Sequence, residues 1–187
     1  MLFLRFARRD RGGCVFLQTG PEDWGSYPGS STPVSPMLAL VGFVGLCLLV
    51  GAADSALVST ALHSWYPSLT RPPGTPPAWA YGPVWGVLYV MMGVAGWLVW
   101  RGAGVVPALR LWGWQLAANA LWTPAFFGLH QPPLAFGIIL VLLGLVALTI
   151  WRFARLHRIA AGLMVPYFAW ITYAAYLNAG FWWLNPV

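Results

Sequence analysis

The sequence predicts an all-α integral membrane protein, a bundle of five transmembrane helices, and three observations carry that prediction. Hydrophobic residues make up 59% of the 187 positions and charged residues only 7%, outside the range of ordinary soluble domains. From residue 37 onward the apolar runs are long enough to cross a bilayer, which takes roughly 20 residues at about 1.5 Å rise each. The charges that remain collect at the ends of those runs, where arginine anchors and orients membrane helices.

Residues 1–36 are rich in Arg, Gly, Ser and Pro and are expected to form a disordered tail or an upstream extension before Met37. Their apolar patch, Val15 to Leu17, is too short for a signal-peptide core or a span. The first span is expected at about 37–62, interrupted by Asp54. The segment "WYPSLTRPPGTPP", 65–77, punctuates the chain, and the second span follows at about 78–100, with the prolines setting its first turn. Residues 111–151 carry no charge and hold two spans, about 108–128 and 133–155, separated by the turn signal "GLHQPP" at 128–133. The last span is expected at about 159–183.

Charge placement excludes several classes of function. The acidic residues are Asp10, Glu22, Asp23 and Asp54, so no carboxylate side chain follows residue 54, and acid–base chemistry by paired carboxylates is nearly excluded. All ten basic residues are arginines. Because they sit at the ends of spans, the net charge of +6 speaks for membrane anchoring and against nucleic acid. Cys14 and Cys47 suggest neither a disulfide framework nor a metal site. With five spans, nine arginines fall on one side and Arg71 alone on the other. The N-terminus is therefore expected in the cytoplasm and the loop between helices 1 and 2 outside.

Helical spacing then picks out faces. In "LWGWQLAANALWTPAFFG", 111–128, Gln115, Asn119 and Trp122 align, and amides in hydrocarbon must look into a bundle or cavity. Trp85, Tyr89, Met92 and Gly96 repeat the spacing in the second span, and Pro166, Trp170, Tyr173 and Leu177 in the fifth. Aromatic faces with few polar atoms suit a pocket for a flat, apolar ligand. Trp100, Trp112, Trp182 and Trp183, near expected helix ends, read as interface anchors. As the only acid within a span, Asp54 is by default a candidate for a proton or substrate contact. The favoured reading is an outer-end residue bonded to Ser55 or Ser59 or reaching Arg71. Gly113, Ala117 and Ala120 form a small-residue stripe fit for close helix packing.

"WYPSLTRPPGTPP", Trp85 eight residues later, "NALWTPAFFG" and "VPYFAWITYAAYLN" together resemble the tryptophan-rich sensory protein family, also known as the translocator protein or peripheral-type benzodiazepine receptor family. The resemblance covers about residues 37–187. It implies a five-helix bundle, often a homodimer, that binds porphyrins such as protoporphyrin IX and haem as ligands, with no cofactor required. It also implies a first loop that closes over the pocket as a lid.

Carried over, the ligand-binding residues are Trp85, Asn119, Trp122 and Trp170; Tyr89 and Tyr173, on the same helical faces, join them as ligand-binding candidates, with Arg71 available for propionates. His63 and His130 could approach a haem iron, yet read as solvated loop residues rather than metal ligands. An enzymatic alternative is light- and oxygen-dependent porphyrin breakdown, in which Trp85 and Trp170 would be the catalytic, redox-active pair. An ion-driven transporter is disfavoured, since Asp54 is the sole acid within a span. Two departures from the family pattern stand out. Pro73 and Gly74 replace the aromatic residue often found after the loop's basic-Pro pair, which implies a looser lid, and no basic residue follows Arg158 to complete a sterol-type pattern in the last helix.

Overall fold

The structure, a computed structural model, describes residues 35–185. Most of the expected tail at 1–36, with Cys14 and four of the arginines, lies outside the described residues. Five helices follow in order: α1 Pro36–His63, α2 Ala78–Ala103, α3 Pro107–Thr123, α4 Pro132–Leu156 and α5 Arg158–Leu184. α1, α2, α4 and α5 are each long and apolar enough to cross a membrane, and the chain is an integral, multi-pass membrane protein. α3 has only 17 residues, but it runs directly into a five-residue π turn at Pro124–Gly128.

Local chemistry sets each boundary. Ser35 caps α1 by accepting from the Leu38 amide at 3.2 Å, with Pro36 in the first turn. α3 and α4 also begin on prolines, Pro107 and Pro132, whose fixed φ and missing N–H cost nothing at that position. Pro77 directly precedes α2, and Gly104 ends it in a left-handed conformation at φ 69°. His157 ends α4 and caps α5, its Nδ1 accepting from the Ala160 amide at 3.3 Å. In the π turn, Leu129 donates to the Pro124 carbonyl at 2.8 Å and Gln131 to that of Ala125 at 3.1 Å. That wider winding turns Phe126 and Phe127 toward the bundle rather than continuing the α3 register.

The helices form a closed ring in which α1 packs on α2, α2 on α5, α5 on α4, α4 on α3 and α3 on α1. The end carrying Arg101, Arg110, Arg152, Arg155 and Arg158 is densely filled. There α1 crosses α2 backbone to backbone: a Cβ on Gly93 would lie 2.6 Å from the Val44 Cα. Phe43 packs edge-on against Trp112 with centroids 5.3 Å apart. Trp112 corrects the reading as an interface anchor, because it is buried and donates its indole N–H to the Met92 carbonyl at 3.0 Å. Trp182 and Trp183 are exposed near the opposite end.

Candidate functional site

Near the other end the ring is not filled. The second half of α1, the first half of α2, the end of α3 with its π turn, and the second half of α5 enclose a cavity of about 240 Å3. The loop 65–77 lies at this end. Trp85, Tyr89, Trp122, Trp170 and Tyr173, all expected from spacing and resemblance, line it together. Trp85 meets Trp170 edge to face with centroids 6.4 Å apart and stacks on Tyr89 at 5.4 Å. Trp122 stacks on Phe126 at 5.5 Å. Its indole N–H donates to Asn178 Oδ1 at 3.0 Å, while Asn178 Nδ2 holds the Pro132 carbonyl at 2.8 Å. The wall is thus made of rings, of which Trp122, Tyr89 and Tyr173 are oriented by hydrogen bonds and Trp85 and Trp170 by packing against neighbouring rings.

Two expected residues lie elsewhere. Asn119 is buried one layer behind the wall, its amide between the Tyr89 and Tyr167 hydroxyls at 2.8 and 3.0 Å. Both ends of its amide are engaged by those hydroxyls, and it bears on the site through Tyr89. Arg71 is exposed on the loop, its guanidinium 5.4 Å from the Tyr66 ring centroid. It stands outside the cavity at the loop end rather than in the wall. Pro166, expected on the same face as Trp170, is exposed. The stripe at Gly113, Ala117 and Ala120 leaves Ala117 exposed on α3.

Asp54 requires the largest correction. Ser55 and Ser59 spend their hydroxyls on the carbonyls of Gly51 and Ala56, and Arg71 is engaged at Tyr66. Asp54 instead lines the cavity and accepts from the Tyr89 hydroxyl at 3.0 Å. Asp54, Tyr89, Asn119 and Tyr167 therefore form one chain across four helices. A single hydroxyl proton on Tyr89 cannot serve both Asp54 and Asn119, and the two ends of the Asn119 amide are interchangeable. Two proton arrangements keep every link of the chain, although only the first gives the Tyr167 proton an acceptor within it. With Asp54 ionised, Tyr167 donates to Asn119, Asn119 to Tyr89 and Tyr89 to the carboxylate. With Asp54 protonated, every donation reverses.

The loop is latched to α5. Tyr173 donates to the Gly74 carbonyl, Tyr176 to the Pro73 carbonyl at 3.1 Å, and Asn185 pairs with both backbone groups of Thr70 at 2.8 and 3.0 Å. Pro72 is buried against Gly180, where a Cβ would come within 2.6 Å of the proline ring. Pro73 and Gly74, from which a looser lid was expected, thus contribute carbonyls where the family pattern has an aromatic ring. Below them Tyr66 is buried at the top of the cavity. Burial pushes its phenol above the usual value, against the hydrogen bond to Tyr81 and the Arg71 charge, so it remains neutral at physiological pH. Tyr66, Tyr81, Thr123, Phe126 and Asn178 are wall residues that no helical face had singled out.

The ring of helices and the latched loop define a multi-pass membrane protein with an aromatic cavity at one end. Its sequence matches the model of the TspO/MBR family over residues 43–184, and the chain belongs to that family. It is 39% identical to the "Tryptophan-rich protein TspO" of Chlorobaculum tepidum over 155 residues, covering 80% of this chain and 98% of that protein. It is 37% identical to the "Translocator protein" of Ovis aries over 153 residues, covering 79% and 90%. With the "Tryptophan-rich sensory protein" of Cereibacter sphaeroides it shares 40% identity over 114 residues, covering 61% and 72%. Membership supports a membrane receptor or sensor role.

Proposed function

We propose that the cavity binds a flat, apolar ligand of the porphyrin class and that the protein acts as a receptor or sensor for it. The observation that carries this reading is the convergence of Trp85, Trp122 and Trp170, from three different helices, on one cavity beneath a latched loop. Indole faces offer stacking area; a hydrogen bond holds Trp122 and ring packing holds Trp85 and Trp170, so little ordering is needed on binding. At about 240 Å3 the space is smaller than the roughly 300–1,000 Å3 usual for ligand pockets. A tetrapyrrole therefore enters with the loop lifted or with one edge outside. Such an edge would lie at the loop end, where Arg71 can meet propionates.

The same reading places the cavity end outside and the arginine-rich end in the cytoplasm, since five arginines of the described helices and their junctions gather at the latter and Arg71 alone at the former. The test is titration of the detergent-solubilised protein with protoporphyrin IX, following tryptophan fluorescence in the dark and then under light. Saturable quenching that weakens in the Trp85→Phe, Trp170→Phe double variant supports the site, and quenching that never saturates refutes it. New absorbance bands under light would move the reading to porphyrin breakdown, with Trp85 and Trp170 as redox partners.

A further inference from the structure

We propose that the Asp54 carboxylate determines the specificity of this cavity, selecting a flat ligand that presents a cationic nitrogen or an N–H donor to it. The proposal rests on the reading of the cavity as a ligand site and adds a chemical requirement to it. Asp54 stands on the α1 wall of a cavity also lined by Trp85 and Tyr89 of α2, Trp122 and Thr123 of α3, and Trp170 of α5. Among the described residues no Arg, Lys or His lines the cavity, and Arg71 is held over the outer Tyr66 ring. Its polar neighbours are the hydroxyls of Tyr89 and Thr123. A carboxylate accepts about four hydrogen bonds, so acceptor capacity remains toward the cavity.

A carboxylate within an apolar span is costly unless a counter-charge or donors accompany it. Here the protein supplies Tyr89, and through it the chain to Asn119 and Tyr167. Those groups are neutral, so no positive charge faces the carboxylate from any wall. A ligand that brings an ammonium, an amidinium or a ring N–H completes the set, and it favours the ionised arrangement in which every donor of the chain points toward Asp54. An anionic group is repelled from the same spot. A ligand carrying both kinds of group is therefore oriented, with its nitrogen toward Asp54 and its acids toward the loop and Arg71.

The test uses three tracers on one fused-ring frame: aminoacridine as cation, anthracene as neutral molecule and anthracene carboxylate as anion. Binding is followed by quenching of tryptophan fluorescence in a neutral maltoside detergent, so that the micelle does not sort the charges. Protoporphyrin IX is titrated in parallel. Wild-type protein is expected to bind the cation about tenfold or more tighter than the neutral tracer, the range of a charge-assisted hydrogen bond, and to bind the anion most weakly. Asp54→Asn should erase the order, and Asp54→Glu should keep it. Equal affinities for cation and neutral tracer in the wild type, or an order that survives Asp54→Asn, overturn the proposal. The wild-type series decides even if a variant folds poorly. Protoporphyrin IX binding with no order among the tracers overturns this inference alone, whereas no saturable binding of any of the four overturns the cavity reading with it.

Discussion

Replacing Gly180 with alanine should unlatch the loop without weakening the helix beneath it. The new Cβ would sit 2.6 Å from the Pro72 Cβ, whereas carbon atoms rest at about 3.5–4.0 Å, so the loop must withdraw by about 1 Å. Hydrogen bonds now at 2.8–3.1 Å between the loop and Tyr176 and Asn185 would stretch to about 3.8–4.1 Å, beyond bonding reach. With the Tyr173 bond to Gly74 that makes four bonds, each contributing about 0.5–1.5 kcal/mol, or about 2–6 kcal/mol of closing energy. Alanine itself favours α5 by about 1 kcal/mol over glycine, so a loss of protection in the loop cannot come from a weaker helix. Hydrogen exchange read by mass spectrometry should speed up over residues 65–77 by about 30-fold or more, while exchange within α5 stays unchanged and protoporphyrin IX leaves faster. Unchanged exchange over 65–77 would refute the latch.

Two further expectations concern the packed half and the topology. Gln115 is fully buried with Oε1 unpartnered and Nε2 on the Met92 sulfur at 3.1 Å, a weak acceptor. Gln115→Leu should be neutral or stabilising by about 1 kcal/mol, seen as an unchanged or higher melting temperature in detergent, and a clear fall would show that the amide has a partner such as a bound water. A cysteine placed at Ser68, on the exposed face of the loop, should react with a membrane-impermeant maleimide on intact cells, in a background lacking Cys14 and Cys47. Labelling only after lysis would reverse the orientation.

The helices were legible because a span announces itself by length and apolarity, and four of the five meet that standard alone. α3 was legible for a different reason, its amides falling on one face. The wall residues Trp85, Tyr89, Trp122, Trp170 and Tyr173 could be found because helical spacing gathers rings and the family resemblance chose among them. Asp54 was misread because α1 is apolar on every side, so its sequence carries no contrast to say which face meets α2. A lone acid near a helix end then looks like an interface residue. Arg71 and the latch were hidden because a loop has no period from which to read contacts, and Asn119 because spacing gives direction but not depth. The π turn left no periodic trace either, and it displaces Phe126 and Phe127 from the faces an uninterrupted helix would give them.

The close crossing at Gly93 and Val44 gives the bundle a fixed base and a yielding rim. Around the arginine-rich end, backbone touches backbone and Trp112 is pinned to α2, so the helices have little room to slide. Around the cavity they are held apart by rings, a few hydrogen bonds and the loop. Motion of least cost is then a splaying about that base, like the jaws of a peg, and an occupant acts as a wedge between α1, α2 and α5. If the cavity is occupied, the arginine-rich end would feel it as small rotations of α2 and α5 about that pivot.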